Sequence, residues 1–213
     1  GFIASILLGK LIILFSGNAA PARAKRHYDW ASIAAACFMA FDHGLNDGQK
    51  FMGVFAMTLL AIFAGDFIGY WRHRLEHTAI LWPAHAIHHS DTRMTWTTLF
   101  RFHPINRLST AIIDTTALAM LGLPPEALVV NNLARHYYGM FIHMDLPWTY
   151  GLLGRLFVSP AMHRWHHIRD ADGAGVNFAT VFSVFDQAFG TYRVPGPCTV
   201  PLGVRDDLGR GAL

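Results

Sequence analysis

Residues 51–77 read FMGVFAMTLLAIFAGDFIGYWRHRLEH. The first 21 residues of this stretch are almost wholly apolar and long enough to cross a bilayer, whose hydrocarbon core takes about 20 helical residues. The run then stops at Arg72 and passes into His73-Arg-Leu-Glu-His77. Residues four apart share a helix face, so His73 and His77 point the same way at the mouth of an apolar helix. Asp66 and Tyr70 continue that stripe backwards at intervals of four and three. An acid so close to a span is costly unless it is used. Asp66 is therefore a candidate to accept a hydrogen bond from a ligand imidazole, or it pairs with Arg72 or Arg74.

The rest of the chain has the same character. Of its 213 residues, 53% are hydrophobic and only 15% charged, against about a quarter charged in soluble domains. The expectation is an all-α integral-membrane helical bundle of four to five spans, the first one truncated, under a cytoplasmic histidine-rich helical cap. Residues 1–213 are read as a single membrane-embedded domain. Apolar runs at 2–15 and 30–41 are separated by a loop carrying Arg23, Lys25 and Arg26, and 42–50 (DHGLNDGQK) reads as a polar turn. Residues 105–122 and 126–143 read as a helical hairpin that turns at Pro124-Pro125. Placing the basic loop in the cytoplasm and counting crossings puts every clustered histidine on that same side. The net charge of +3 is too small and too scattered for a nucleic-acid surface. Two cysteines make neither a CxxC nor a disulfide framework, which argues against thiolate-bound zinc, haem-thiolate and iron–sulfur centres.

Thirteen histidines are the outlying number. Besides HRLEH, the pattern HxxHH occurs twice, as His85-Ala-Ile-His88-His89 and His163-Arg-Trp-His166-His167. On a helix, positions i, i+3 and i+4 share a face, so each copy presents three convergent imidazoles. Pro83 precedes one copy and Ser159-Pro160 the other; proline suits the first helical turn and serine the N-cap. Near a helix N-terminus an imidazole stays neutral, the form a metal needs. A lone histidine on an apolar face is usually a satisfied core residue. Eight packed together without metal would leave many unpaired nitrogens in a low dielectric. Eight or more nitrogen ligands exceed one ion's capacity, so two ions are expected. Imidazole suits iron, zinc and copper alike, and the metalloprotease HExxH is absent.

The set HxxxH, HxxHH, HxxHH beside membrane spans resembles the fatty acid hydroxylase / sterol desaturase superfamily of membrane non-haem di-iron oxygenases. The likeness extends to DFIGYWRHRLEH (66–77), LWPAHAIHHSD (81–91), RFHPINR (101–107), SPAMHRWHH (159–167), Asn177-Phe178 and FSVFDQAFGTY (182–192). It covers about residues 60–192. The resemblance implies His73, His77, His85, His88, His89, His163, His166 and His167 as iron ligands, with His143 as a further ligand at the end of the last span. His136 either ligates or packs, and His103 either ligates or starts a helix. Asp186 either orients a ligand or caps a turn, and Trp82 and Trp165 either wall the site or mark the membrane interface. His27 and His43 lie outside the pattern.

The family likeness further implies an O2-dependent oxidoreductase that hydroxylates or desaturates an unactivated C–H bond of a lipid. Two iron ions would be the cofactors and O2 the co-substrate. Sterol or hopanoid-like rings, fatty acyl chains, alkylglycerols and carotenoids are the candidate substrates. No flavin, nicotinamide or haem motif is visible, so electrons would come from a separate ferredoxin, b-type cytochrome or reductase. The expected location is a bacterial inner membrane with the active site facing the cytoplasm. Two rivals remain. One is a non-catalytic membrane metal-binding protein, which would be expected to have lost a histidine from the set. The other is a zinc hydrolase, for which Glu76 is the available acidic base.

Overall fold

The computed structural model describes residues 2–18, 20–169 and 175–204. Among them there is no strand, only one isolated bridge between Ile168 and Leu202. Two compact units are present, residues 1–53 and 54–213.

The first unit contains α1 (Phe2–Ser16) and the start of α2 (Pro21–Glu76). Two expectations change here. The loop read at 16–30 shrinks to a short break, because Pro21 suits a first helical turn and PARAKR is rich in strong helix formers. Lys25 then pairs with Asp29 at 2.8 Å, one turn along. The turn read at 42–50 is helix throughout. It contains no proline, and its polar side chains bond along the helix. Asn46 donates to the Asp42 carbonyl at 3.0 Å, and Lys50 lies 3.5 Å from Asp47. Gly44 and Gly48 weaken the segment by about 1 kcal/mol each without ending it. The crossing count that relied on this turn therefore loses its support. Among the described residues one helix, α2, is long and apolar enough to cross a membrane, and 17% of its apolar window is buried.

In the second unit α2 ends at Glu76, between His73 and His77, and His77 follows in the turn. A tight turn leads into α3 (Trp82–His89), with Pro83 in its first turn. After a 3-10 segment (Trp96–Phe100) comes the expected hairpin. Its first arm is α4 (Pro104–Ser109), a π-helical segment (Thr110–Asp114) and α5 (Thr115–Met120); its second is α6 (Pro125–Ile142). Gly122 turns the chain at φ 73°, a conformation open to glycine at little cost. A π-segment shifts the helical register, and this one carries Asp114 into the interior beside Arg72 and Arg135. Helices α2 and α6 meet through Gly65 and Gly69. A Cβ at Gly65 would strike Asn131, and one at Gly69 would strike the Arg135 guanidinium. α7 (Pro160–His166) is N-capped by Ser159, whose Oγ accepts the Met162 N–H at 3.1 Å. α8 (Val184–Ala188) closes the unit.

Candidate metal centre

The histidines converge. Ligand atoms of His73, His77, His85, His89 and His166 lie within 4.8 Å of one another, and so do those of His88, His143, His163 and His167. All nine histidines singled out as ligands fall into these two groups. The groups adjoin: the His89 and His167 rings stack with centroids 4.2 Å apart. Each HxxHH helix splits its imidazoles between them. α3 sends His85 and His89 to the first group and His88 to the second; α7 sends His166 to the first and His163 and His167 to the second.

In every ring the inward atom is Nε2. Within the five-histidine group, Nε2 contacts join His73 to His85 at 3.1 Å, His77 to His166 at 3.2 Å and His89 to His85 at 3.2 Å. Within the four, they join His88 to His143 at 3.1 Å, His163 to His143 at 3.0 Å and His167 to His163 at 3.2 Å. The outward Nδ1 atoms of three rings face carbonyl oxygens: His73 to Phe178 at 2.8 Å, His166 to Val176 at 2.7 Å and His143 to Gly139 at 2.6 Å. A carbonyl only accepts, so those Nδ1 atoms carry the proton and their Nε2 atoms offer lone pairs inward. Burial holds His85, His88, His89, His163, His166 and His167 well below the ordinary imidazole pKa, and neighbouring imidazoles push further. Burial, with His166 beside it, takes His77 down to about 2. Neutral, buried, inward-facing lone pairs in two all-nitrogen clusters are a poor hydrogen-bonding arrangement and a good cation site. The residues present fit two metal ions.

The segment 176–182 supplies two of those carbonyls, and two buried carboxylates hold it. Asp66 accepts the N–H groups of Thr180, Val181 and Phe182 at 3.1, 3.0 and 2.7 Å, and lies 3.7 Å from Arg135. Asp186 accepts those of Phe178 and Ala179 at 2.7 and 3.0 Å and the Thr191 hydroxyl at 2.7 Å. Burial raises the Asp186 carboxyl to about 6, against the pull of these donors. The link from either aspartate to the imidazoles runs through backbone. Asn177, at φ 58°, bonds both Met162 and Arg193, pinning the segment to α7. No short motif in the sequence signals that a carbonyl would do the orienting.

Two other candidates lie outside the groups. His103 caps α4, its Nδ1 accepting the Ile105 N–H at 3.2 Å. His136 packs edge-on to Phe100 with centroids 5.7 Å apart and borders a cavity. Trp82 walls the site beside His77 and His89, whereas Trp165 donates to the Gly196 carbonyl and packs outward. His27 and His43 are exposed. Sequence reasoning missed Arg72, Asn106, Asp114 and Arg135 as parts of the site. Arg72 bridges Glu76 and Asp114 at 2.8 Å each, and Arg135 reaches Asp114 at 3.0 Å. These four residues border a cavity of about 400 Å³ that opens onto both histidine groups through His73, His85, His88, His143 and His163. Charged residues at 114 and 135, set within otherwise apolar stretches of sequence, were themselves a signal of function.

The family model for fatty acid hydroxylases matches residues 58–191. The chain belongs to that family, whose members are membrane-associated. Among curated relatives, an ornithine lipid hydroxylase, OlsE, of Rhizobium tropici is 29% identical over 73% of this chain and 48% of its own length. An alkylglycerol monooxygenase of Caenorhabditis elegans is 31% identical over 63% of this chain and 26% of its own. A Delta(7)-sterol 5(6)-desaturase of Gibberella zeae is 28% identical over 66% of this chain and 38% of its own. The chain thus spans about half or less of the length of these relatives. No solved structure matches it.

Proposed function

We propose that this chain carries the catalytic centre of a membrane-bound di-iron oxygenase that hydroxylates or desaturates a lipid. The observation that carries the reading is the pair of adjoining groups of nine inward Nε2 atoms beside a cavity. His73, His77, His85, His89 and His166 would hold one iron, and His88, His143, His163 and His167 the other. When bound, the irons supply activation of O2 with two external electrons. The balance for hydroxylation is R–H plus O2, two electrons and two protons, giving R–OH and water. The chain's own task is to fix the imidazoles, keep the site dry and place the substrate carbon. Phe102 stacks on His88 with centroids 4.4 Å apart, and Phe178 lies against His73, His77 and His166, excluding water from the rings.

The cavity wall of Arg72, Asp114, Asn132 and Arg135 favours a lipid with a polar group near the oxidised carbon over a carotenoid. The names of the relatives put ornithine lipids, alkylglycerols and sterols first for assay, with hopanoids and fatty acyl chains next. A ferredoxin, b-type cytochrome or reductase would deliver the electrons. The centre would face the cytoplasm of a bacterial inner membrane, at the end of α2. The zinc hydrolase reading is weaker. Five imidazoles in one group exceed zinc's usual four ligands, and Glu76 faces the outer edge of His85, not the inward Nε2 atoms.

Purification in detergent with metal analysis tests the proposal. About two irons per chain, with O2 uptake that depends on both lipid and reductant, is the expected result. One zinc and no O2 uptake would sink it.

A further inference from the structure

Among the described residues, His85 is the one ring of the five-histidine group whose Nδ1 faces side chains on another element. Glu76 Oε2 lies 3.4 Å away and the Asn106 amide nitrogen 3.3 Å. All three residues are buried. The opposite edge of the carboxylate is fully engaged, with Oε1 accepting from Arg72 Nη1 at 2.8 Å and from the Ser109 hydroxyl at 3.0 Å. That grip fixes where Oε2 can sit. Meanwhile Asn106 Oδ1 is buried with no hydrogen-bond partner, a costly state for an amide oxygen.

The two oddities have one solution. His85 Nε2 is an inward atom of the group, so metal binding requires its lone pair there and the proton on Nδ1. A carboxylate oxygen beside Nδ1 favours that tautomer because it can only accept. An amide nitrogen pointing at the same Nδ1–H would set donor against donor. Turning the Asn106 amide by half a turn about its last bond places Oδ1 against Nδ1–H and gives the orphaned oxygen its partner. We propose that Glu76 and Asn106 are positioning residues that together hold the His85 proton on Nδ1 and aim Nε2 at the metal, with the Asn106 amide oxygen accepting.

This rests on the di-iron reading, and the test separates the two. The full chain is loaded with 57Fe in detergent, and iron content is followed against a chelator alongside the Mössbauer spectrum. Asn106→Leu, and Glu76→Leu, weaken the retention of one iron by about ten- to hundredfold and alter one of the two iron signals, leaving the other unchanged. Asn106→Asp keeps an acceptor in place and retains both irons. Glu76→Gln, which keeps an oxygen but not the charge, falls between wild type and Glu76→Leu, and serves if the leucine variant does not accumulate. Asn106→Leu with wild-type retention and spectrum would overturn the inference. So would an Asn106→Asp variant that loses iron as the leucine variant does, since that is the behaviour of an amide donor. Either result with two irons in the wild type leaves the di-iron reading standing; a wild type that binds no iron ends both.

Discussion

The five-histidine and four-histidine groups share two helices, yet they are held differently. In the first, His73 and His166 are locked from behind by carbonyls of 178 and 176, and His85 is flanked by a carboxylate and an amide. In the second, His143 leans on the Gly139 carbonyl, while the Nδ1 atoms of His163 and His167 are buried without hydrogen-bond partners. A ligand fixed from behind is better oriented and more basic. The difference teaches that one sequence pattern, HxxHH written twice, builds two inequivalent positions. The inequality comes from what stands behind the rings, not from the rings themselves.

The strongest way to break this comparison is to remove one ligand from each group. His166→Ala and His163→Ala are both expected to lower lipid-dependent O2 uptake by more than about a hundredfold. They should differ in what remains bound. His163→Ala keeps the iron of the five-histidine group, whereas His166→Ala also removes the ring seated on the 176–178 segment. In the unaltered protein a chelator should strip the four-histidine group first, giving two phases of iron loss. A single phase, or equal residues of iron in both variants, would make the groups equivalent.

Acid probes the same rings without mutation. Imidazoles held below their ordinary pKa in the fold stay neutral where the unfolded chain takes up protons, from about pH 6.5 downward. The unfolded state then binds more protons, so stability of the metal-free protein is present above that pH and is lost as pH falls through 6 to 5. Thermal unfolding of the metal-free chain across that range measures it. A melting temperature that holds or rises on acidification would mean the rings are already protonated or exposed.

The site was more legible in the sequence than the architecture around it. The ligand pattern is local: spacings of three and four on short helices, with Pro83, Ser159 and Pro160 setting their starts, can be read residue by residue. The turn at 42–50 was not legible, because Asp, Asn and Gly signal turns only when side chains compete with the helix, and here Asn46 and Lys50 bond along it instead. The roles of Asp66 and Asp186 were hidden for a different reason. Their partners are backbone N–H groups more than a hundred residues away in one case and in an irregular segment in the other. No periodicity encodes such a contact.

Asp66 gives the next test. Replacing it by alanine leaves three backbone N–H groups of 180–182 without their acceptor. At about 1–3 kcal/mol for each buried unsatisfied group, the expected loss is about 3–5 kcal/mol after partial relaxation, read by denaturant unfolding. Because the segment also anchors His73 and His166, iron should leave the five-histidine group preferentially. Loss of stability with both irons retained equally would separate the segment from the site.

The smallest effect is expected at Gly69, and it asks whether the cavity wall matters independently of the ligands. Gly69 lies on α2 one turn before His73, and its missing side chain makes room for the Arg135 guanidinium. Arg135 in turn holds Asp114, which the π-helical segment delivers to the cavity. Gly69→Ala therefore pushes an ion pair out of register at a cost of about 1–3 kcal/mol. The expected outcome is full iron content, unchanged chelation phases and a raised KM for lipid. Arg135→Lys, which shortens the reach and removes the planar fork, should reproduce the raised KM without the packing clash. If Gly69→Ala instead sheds iron, the wall and the metal groups are one mechanical unit, and the contrast between them dissolves.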